Sequence, residues 1–429
     1  MRVAMLTFYP ILDGAGDGAR SDEARIPGGI RMVAYNLVNA LRELPGLELH
    51  VIHCHADIGE DAADGERTLR DGPVTLHYLP LSRQRVVPNL IRGVRRLVGA
   101  LRELQPDLVH AHAGHFAYAG VAAGYPTIYT IHGILPYELQ VYNRTLFDRL
   151  RYGLLNQYER RALRRVEALV AISPAVHEAY ANIERPERWV RINNPVPDAF
   201  LTLADRSEPW RVLYVGSITE VKDVLTLLRA IARVKETCPQ VRLRVAGRAT
   251  SADYERRVRA LVRERGMEEQ VTFLGLLDRG QLLDEYARAA LVALPSLYEN
   301  APMAIIEAMA AAKPVVATAV GGVPHLVRTP PPSTSRRSPQ VPLVSRRHID
   351  GGPSGGGGEN SSTGLLVPAQ DDAAMAEALR TLLCDPALAR CMGERARNEA
   401  RRRFGAASIA QETYALYQRV LDARAGGSR

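Results

Sequence analysis

The sequence predicts an α/β protein with two doubly wound, parallel-sheet domains. Short apolar runs alternate with amphipathic helical segments along most of the 429 residues, which is the pattern of parallel sheets covered by helices. The alternation pauses at the stiff, extended segment Asn194-Pro195-Val196-Pro197 and then restarts. Hydrophobic residues form 46% of the chain, enough for two sizeable cores. We therefore predict one Rossmann-like domain over residues 1–196 and a second over 197–404.

The predicted elements follow one another at regular intervals in both domains. Strands are predicted at residues 2–8, 48–54, 74–79, 108–111, 127–131, 169–172 and 190–193 of the first domain. In the second domain they are predicted at residues 211–215, 241–246, 271–274, 289–294 and 314–319. The helical pattern is clearest from residue 30 onward and at 86–104, 224–234, 254–265, 281–289, 303–311, 371–383, 385–400 and 406–421.

Residues 294–323 carry most of the functional signal. This stretch begins as a buried strand, breaks, and continues as a helix from Met303 to a second apolar strand. Asn300 is a suitable cap for the helix, and Pro302 suits its first turn, where the missing N–H would have no helical partner. The turn aims a helix N-terminus at the carboxyl edge of a sheet, where its partial positive charge suits a phosphate.

Two carboxylates frame this helix. Glu299 precedes the helix and Glu307 lies within it, about two helical turns further on, so both can face one side of the unit. One acid can hold hydroxyls beyond the phosphates and the other a ribose, whereas acids at the phosphates themselves would repel them. A nucleotide-sugar fits this layout better than a free nucleotide. The alternative is that both are ordinary surface glutamates.

The same stretch resembles the donor-binding segment of retaining glycosyltransferase family 4 (glycosyl transferases group 1), which has the GT-B fold. The positions that carry the resemblance are Pro295, Ser296, Glu299, Pro302, Glu307, Ala308, Met309, Pro314, Val315, Val316, Gly321 and Gly322. Two positions depart from the family pattern, which usually has Gly where Ala312 stands and often has an acid where His325 stands. The resemblance covers nearly the whole chain apart from an insertion at about 329–363.

The resemblance implies two domains facing a cleft, with a last helix in residues 405–429 that returns to the first domain. It also implies a metal-independent transfer of a sugar from a nucleotide-diphosphate donor to an acceptor hydroxyl, with no cofactor and with retention of anomeric configuration. Glu299 would hold the sugar hydroxyls and Glu307 the ribose. The diphosphate would lie against the backbone of Asn300, Ala301, Pro302 and Met303.

A lysine in the second domain is a further candidate for the diphosphate. Lys222 follows that domain's first strand, and its ammonium can neutralise a diphosphate leaving group. The resembled family usually shows Gly-Arg before this lysine. Here Gly216 is followed by Ser217, so one of two expected cations is missing, and Asp223 replaces the usual Gly.

The first domain contributes a histidine and a glycine pair. His132 follows a predicted strand, at the edge where parallel sheets bind ligands, and the resemblance implies that it reaches the donor sugar. Gly28 and Gly29 precede a helix and would let the backbone approach a ligand closely, although glycine pairs also mark plain turns. The resemblance implies that this loop lies near the donor phosphates and the acceptor. Glycines 14, 16 and 18 only weakly match a dinucleotide-binding fingerprint, because no helix follows directly.

Charge and composition limit the class of partner and the compartment. The net charge of +8 suits phosphorylated substrates, and no nucleic-acid-binding motif is present. The helix at 86–104 has an arginine-rich face, which is either a solvated face or a peripheral contact with a membrane. No run approaches the roughly 20 apolar residues that span a bilayer, and no signal-peptide cleavage site is evident. The expected location is the cytoplasm, or the inner face of the membrane.

Neither the histidines nor the cysteines indicate a metal site. His110, His112 and His115 lie close together in sequence, but no acid or thiol accompanies them, so we predict structural roles. The four cysteines lack CxxC spacing, which argues against a zinc site or a disulfide framework. Residues 329–363 are rich in Pro, Gly and Ser and are predicted to form a mobile insertion.

Two other functions are compatible with the sequence. A nucleotide-sugar epimerase on the same plan would need a shielded acid–base pair, and no stretch supplies an obvious one. A catalytically weak GT-B subunit that binds a partner or a membrane would fit the departures at Ser217, Ala312 and His325. A carbohydrate (as in polysaccharide biosynthesis), a lipid-linked molecule or a small molecule is an equally acceptable acceptor at this stage.

Overall fold

The computed structural model describes residues 1–10, 29–55, 67–81, 86–137, 146–183, 186–329 and 362–427. The strands of the first sheet are β1 (Arg2–Leu6), β2 (Glu48–His55), β3 (Arg67–Asp71), β4 (Val74–Pro80), β5 (Leu108–Ala111), β6 (Thr127–Ile131), β7 (Ala168–Ala171) and β8 (Trp189–Arg191). Those of the second sheet are β9 (Arg211–Val215), β10 (Arg242–Ala246), β11 (Val271–Gly275), β12 (Leu291–Leu294), β13 (Val315–Thr318) and β14 (Gly364–Val367).

Helices cover both sheets. Those of the first half are α1 (Ile30–Leu41), α2 (Val86–Leu104), α3 (Gly114–Ala123), α4 (Leu146–Leu163) and α5 (Pro174–Ala179). Those of the second half are α6 (Asp198–Leu201), α7 (Val224–Thr237), α8 (Ala252–Glu264), α9 (Arg279–Arg288), α10 (Met303–Ala310), α11 (Asp372–Cys384), α12 (Pro386–Phe404) and α13 (Ala406–Gly427).

The predicted fold class is confirmed. The first sheet has the order β3-β4-β2-β1-β5-β6-β7-β8 and the second β11-β10-β9-β12-β13-β14. Among the described strands, every pairing within these sheets is parallel except β3 with β4. In each sheet the strand order changes direction next to the strand that comes first in the sequence, which is β1 in the first sheet and β9 in the second. This change of direction opens a crevice at the carboxyl ends of the strands.

The sequence patterns gave no range for strands β3 and β14 or for helices α3, α4, α5 and α6. For β3 and α3 the physical reason is clear. Strand β3 has an alternating half-buried and exposed pattern with three charged residues, so it gives no apolar run. It pairs antiparallel to β4 through a tight turn in which Gly72 has φ 59°. Helix α3 consists largely of small residues and lacks a polar face, so its helical period is not visible.

The last helix belongs structurally to the first domain. Ile409, Leu416 and Tyr417 of α13 are buried in the same core cluster as Val38 and Leu41 of α1. The two segments that pass between the domains lie side by side, since the amide of Val196 donates to the carbonyl of Phe404 at 2.7 Å. The domains are therefore joined by paired backbone rather than by a single free linker.

The insertion lies almost entirely outside the described residues, but its two ends are clear. The amide of Thr363 donates to the carbonyl of Arg328 at 2.8 Å, and the Thr363 hydroxyl accepts from the Arg328 amide at 2.9 Å. Strand β14 then pairs in parallel with β13. Because the ends meet, a long segment can enter here without disturbing the sheet.

Ala312 occupies a backbone conformation that favours glycine. Its φ is 55°, in the left-handed region, directly after helix α10. A residue with a side chain loses about 1–2 kcal/mol of stability in this region. Glycine avoids that strain but lowers the stability by about 0.4–1 kcal/mol, because it increases the entropy of the unfolded chain. We expect Ala312→Gly to raise the free energy of unfolding by about 0.5–1 kcal/mol, as measured by denaturant titration.

The neighbouring alanine provides a matched control for that substitution. Ala311 has φ −79°, a conformation that any residue adopts. Ala311→Gly should lower the free energy of unfolding by about 0.5–1 kcal/mol. If both glycine variants lost stability equally, strain at Ala312 would not explain the effect.

Candidate active site

A cleft of about 470 Å³ lies between the two domains. Its walls come from segments that follow strands β6, β7, β9, β10 and β11, from the end of β12, and from the starts of α1 and α10. The carboxyl ends of parallel strands thus converge on one cavity from both sheets. This is the place where doubly wound sheets bind ligands.

The start of helix α10 faces this cleft. Strand β12 ends at Leu294, and the helix begins after Pro302, whose φ of −65° and ψ of 124° place it at the N-cap position. The N–H groups of Met303 and Ala304 belong to the first turn and have no acceptor inside the helix. All eight residues of α10 are buried, which holds the helix end rigidly against the cleft.

Glu299 is buried and held from two sides. Its Oε1 atom accepts two hydrogen bonds, one from Lys222 Nζ at 2.5 Å and one from Ser296 Oγ at 2.8 Å. The side chain of Glu299 is only 8% exposed and that of Lys222 26% exposed. Lys222 is therefore not a free loop lysine, because the ion pair fixes both side chains at the edge of the cleft.

Gly321 and Gly322 pack directly against the turn that carries Glu299. A Cβ on Gly321 would lie 1.9 Å from the carbonyl oxygen of Glu299, and one on Gly322 would lie 1.8 Å from that of Asn300. The Gly322 amide donates to the Glu299 carbonyl at 3.0 Å. Glycine is required at both positions because backbone packs directly on backbone.

The expectation that Asn300 caps α10 is wrong. Its side chain reaches across the cleft instead. Its Nδ2 donates to the carbonyl of His132 at 2.7 Å, and its Oδ1 accepts from Ser173 Oγ at 2.5 Å. Asn300 therefore ties the donor-side turn to the first domain. His132 and Ser173 lie far from Asn300 in the sequence, so the local pattern indicated only a helix cap.

Glu307 points inward from α10 and lines the cleft. It is 4% exposed and accepts a hydrogen bond from the Tyr286 hydroxyl at 2.8 Å. Burial raises the pKa of Glu307 to about 7, although the Tyr286 hydrogen bond opposes this shift. A buried carboxylate with remaining acceptor capacity suits a pair of ligand hydroxyls, which would stabilise its ionised form.

His132 lines the cleft and is backed by a second histidine. Its Nε2 lies 2.8 Å from Nδ1 of His112, and the two rings are stacked. Burial lowers the pKa of His132 to about 4, and burial together with the nearby His110 and His132 rings lowers the pKa of His112 well below its usual value. Both rings are therefore neutral near pH 7, and one nitrogen donates to the other.

The direction of that hydrogen bond follows from the other nitrogen of His112. His112 Nε2 is buried and has no hydrogen-bond partner in the described part of the chain. If His112 donates from Nδ1, this nitrogen is only an unfilled acceptor, whereas the reverse would leave a buried N–H unpaired, which is rarer and more costly. The arrangement favours a proton on Nδ1 of His132.

The remaining histidines of this group contact side chains outside the donor cleft. His110 contacts the Tyr417 hydroxyl and the Thr130 hydroxyl, each at 2.7 Å, and His115 packs against Phe8 and Phe116. No cluster of three or more metal-ligating side chains occurs among the residues that the structure describes.

The structure adds a cation that sequence reasoning missed. Arg248 follows β10 and lines the same cleft as Ser217. The Ile218 amide donates to the Arg248 carbonyl at 2.9 Å, so the two segments are adjacent. Arg248 makes no ion pair with any residue in the described ranges. The rule that ligands bind where parallel strands end would have singled it out.

The other predicted positions fall around the cleft as well. Gly29, Gly216, Ala301 and Met303 all line it, as does Asn194, which donates to the carbonyl of Ala301 at 3.2 Å. Gly28 and glycines 14, 16 and 18 lie outside the described residues. His325 does not line the cleft, and its carbonyl accepts a hydrogen bond from Arg403.

Sequence comparison identifies both halves of the chain. Residues 27–200 match the family described as Glycosyltransferase Family 4, and residues 202–329 match that described as Glycosyl transferases group 1. The chain belongs to glycosyltransferase family 4. The predicted family and enzyme class are thus confirmed, and the comparisons do not favour the epimerase or the weak subunit.

The curated relatives of this glycosyltransferase act on different molecules. The present chain is 35% identical over 222 residues to D-inositol 3-phosphate glycosyltransferase of Kineococcus radiotolerans, and the match covers 50% of this chain and 45% of that protein. It is 26% identical to alpha-maltose-1-phosphate synthase of Mycolicibacterium smegmatis, covering 98% of this chain and 100% of that protein. The chain thus spans about half the length of the first of these relatives.

Solved structures share the fold over nearly the whole chain. Sucrose-phosphate synthase of Thermosynechococcus elongatus superposes with a TM-score of 0.74 at 22% identity, covering 98% of this chain and 99% of that one. Anabaena HepE, solved in complex with UDP-glucose, superposes with a TM-score of 0.66 at 20% identity, and the match covers 97% of this chain and 99% of that one. Among the helices in the described ranges, none contains an apolar stretch that could span a lipid bilayer.

Proposed function

We propose that the enzyme transfers a sugar from a nucleoside diphosphate sugar to an acceptor hydroxyl, with retention of anomeric configuration and without a metal ion. The observation that carries this proposal is a single cleft that joins the start of α10, the Lys222–Glu299 pair and the buried Glu307. The UDP-glucose complex of the HepE neighbour, which has the same fold, makes a UDP-sugar the first donor to test.

The diphosphate is assigned to the positive groups at the centre of the cleft. The first-turn N–H groups of α10 and the ammonium of Lys222 would hold its oxygens. An ammonium has three donors, so Lys222 can keep its bond to Glu299 while it donates to the ligand. As charge develops on the departing phosphate, these fixed donors stabilise it more than the ground state. They provide the positive charge that a metal would otherwise supply.

The sugar and the nucleoside are assigned to either side of the diphosphate. Glu299 and His132 would position the sugar hydroxyls, and Glu307 would accept the two ribose hydroxyls. In the transfer, the bond between C1 and the diphosphate oxygen breaks, and the acceptor oxygen bonds to C1 on the same face. The proton of the acceptor hydroxyl passes to the departing phosphate oxygen, so no additional base is needed.

The stereochemistry and the metal dependence can be measured directly. We expect a proton NMR time course to show a product whose anomeric configuration equals that of the donor, with the same rate in EDTA and in Mg²⁺. An inverted product, or loss of turnover in EDTA that Mg²⁺ restores, would contradict the proposal. Isothermal titration with UDP would test donor recognition separately.

Arg248 is proposed to replace the arginine that the family usually has at Ser217. Hydrogen bonds to charged groups contribute about 1.5–3 kcal/mol, so Arg248→Ala should weaken UDP binding by about 10- to 100-fold. Arg242 is an exposed arginine of β10 that does not line the cleft, and Arg242→Ala serves as the matched control. Adding Ser217→Arg to the Arg248→Ala variant should restore the affinity. Failure of this rescue would mean that Arg248 does not act in place of the missing side chain.

A further inference from the structure

A second cavity of about 430 Å³ lies inside the first domain. It is bounded by helix α2, by the start of α3, and by α4. Ile30 and His132 line both this cavity and the donor cleft. The two spaces therefore meet beside the histidine that the proposed function places at the donor sugar, which is where an acceptor must present its hydroxyl.

The wall of this cavity is largely apolar. The main apolar contributors come from five different elements or loops, and they are Phe8, Leu81, Leu90, Leu97, Phe116 and Leu155. The rings of Phe8 and Phe116 lie 5.1 Å apart. Glu159 also lines the cavity, and its carboxylate accepts hydrogen bonds from the hydroxyls of Tyr129 and Tyr180. An apolar chain gains about 0.8 kcal/mol for each CH₂ group that it buries.

One cation interrupts this apolar wall. The Nε atom of Arg151, on α4, is buried and has no hydrogen-bond partner in the described part of the protein. Its guanidinium lies over the ring of Tyr152, 5.4 Å from the centroid, and pairs with no carboxylate among the described residues. A partly desolvated guanidinium without a partner is costly, and phosphate is the anion that its geometry fits best.

Helix α4 continues the apolar surface outward from the cavity. Phe147, Arg151 and Leu155 are spaced four residues apart and so share one face of the helix. In the first turns of α4, Leu146 is 74% exposed, Phe147 50% and Leu150 59%. An apolar chain longer than the cavity would meet these side chains where it leaves the pocket.

We propose that this cavity binds the acceptor and that the acceptor is an anionic amphiphile. Its alkyl or isoprenoid chain would fill the apolar cavity, its phosphate would pair with Arg151, and its hydroxyl would face the donor at the junction beside His132. This inference rests on the proposed function, because it takes the acceptor of that transfer as the ligand.

The test is displacement of the fluorescent probe 1-anilinonaphthalene-8-sulfonate from the full-length enzyme, below the micelle concentration of each competitor. We expect dodecyl phosphate to displace the probe at a concentration at least tenfold lower than octyl phosphate, because four CH₂ groups fewer are buried. Neutral dodecyl maltoside should be about tenfold weaker than dodecyl phosphate, and inorganic phosphate should not compete.

Variants decide whether displacement occurs in this cavity. Leu155→Trp fills it and should weaken dodecyl phosphate at least tenfold, whereas Gln157→Trp, at an exposed polar position of the same helix outside the lining, should change it less than twofold. Arg151→Gln should remove the advantage of the phosphate over the maltoside. Equal potency of the two alkyl phosphates, or equal effects of the two tryptophan variants, would overturn the inference.

UDP titration of the same proteins separates the two proposals. All three variants should bind UDP as the wild type does, since none of the substituted residues lines the donor cleft. If UDP binds but the alkyl phosphates do not compete, only the acceptor inference fails. If UDP does not bind the wild type, the proposed function fails, and the competition series still reports whether the cavity takes an anionic amphiphile.

Discussion

Replacing Glu307 with glutamine is expected to stabilise the protein and at the same time to impair nucleotide binding. The pKa of Glu307 is raised from 4.5 to about 7 by burial. Between these values the native state holds a proton that the unfolded state has released, so stability falls as pH rises through this window. Above pH 7 the penalty is about 3 kcal/mol. Glutamine avoids it and can still accept the hydrogen bond from Tyr286.

Denaturant midpoints at pH 5 and pH 8 would measure this effect. We expect the advantage of Glu307→Gln to be small at pH 5 and to reach about 3 kcal/mol at pH 8. Glu285→Gln is a suitable control, because the pKa of Glu285 is shifted in the opposite direction. Burial raises this pKa, but hydrogen bonds from Arg244 and Arg211 outweigh burial and lower it overall. That variant should lose stability at pH 8. An advantage of Glu307→Gln over the wild type that was no larger at pH 8 than at pH 5 would contradict the raised pKa.

Nucleotide binding should respond in the opposite direction. Ribose hydroxyls donate to the ionised carboxylate, so bound UDP should lower the pKa of Glu307 and release a proton near pH 7. The affinity of the wild type should therefore rise as pH increases from 6 to 8. Glutamine cannot provide two acceptor oxygens, and we expect UDP binding to weaken at least tenfold and to lose this pH dependence. Calorimetry in two buffers of different ionisation enthalpy would detect the proton.

The second large effect is expected at Glu299, and it should fall on turnover. The Lys222–Glu299 pair lies beside the helix end that would hold the diphosphate. Glu299→Gln keeps the size of the side chain but removes the charge that orients Lys222 and the sugar hydroxyls. We expect kcat to fall by about 10²–10³, the scale of losing one fixed electrostatic contact in a transition state, while UDP affinity changes less than threefold.

A double-variant comparison tests whether the pair acts as one unit. Lys222→Met alone should lower kcat by a similar factor, and the double variant should be little worse than either single one, because each removes the same arrangement. Ser296→Ala, which removes only the 2.8 Å hydrogen bond to Glu299, should cost less than tenfold. Multiplicative losses, or a large loss of UDP affinity in Glu299→Gln, would show that the two residues have separate roles.

Local features of the sequence determined the framework of this glycosyltransferase. The apolar runs and helical periods predicted most of the parallel strands and the helices that cover them, because both signals arise within a few residues. The position of helix α10 and of Gly321 and Gly322 could be predicted for the same reason, together with the resemblance to the family. The alternating, charged strand β3 and the small-residue helix α3 left no such local signal.

The details of the site were decided by the tertiary structure. The sequence places Asn300 where a cap would stand, but its partners His132 and Ser173 belong to the other domain. The ring of His112 behind His132, the position of Arg248 beside Ser217, and the apolar cavity under α2 and α4 likewise depend on segments far apart in the chain. The raised pKa of Glu307 follows from burial, which local sequence does not encode. Residue types and spacing fix which groups are available, whereas only packing across the domain interface fixes their partners and their charge.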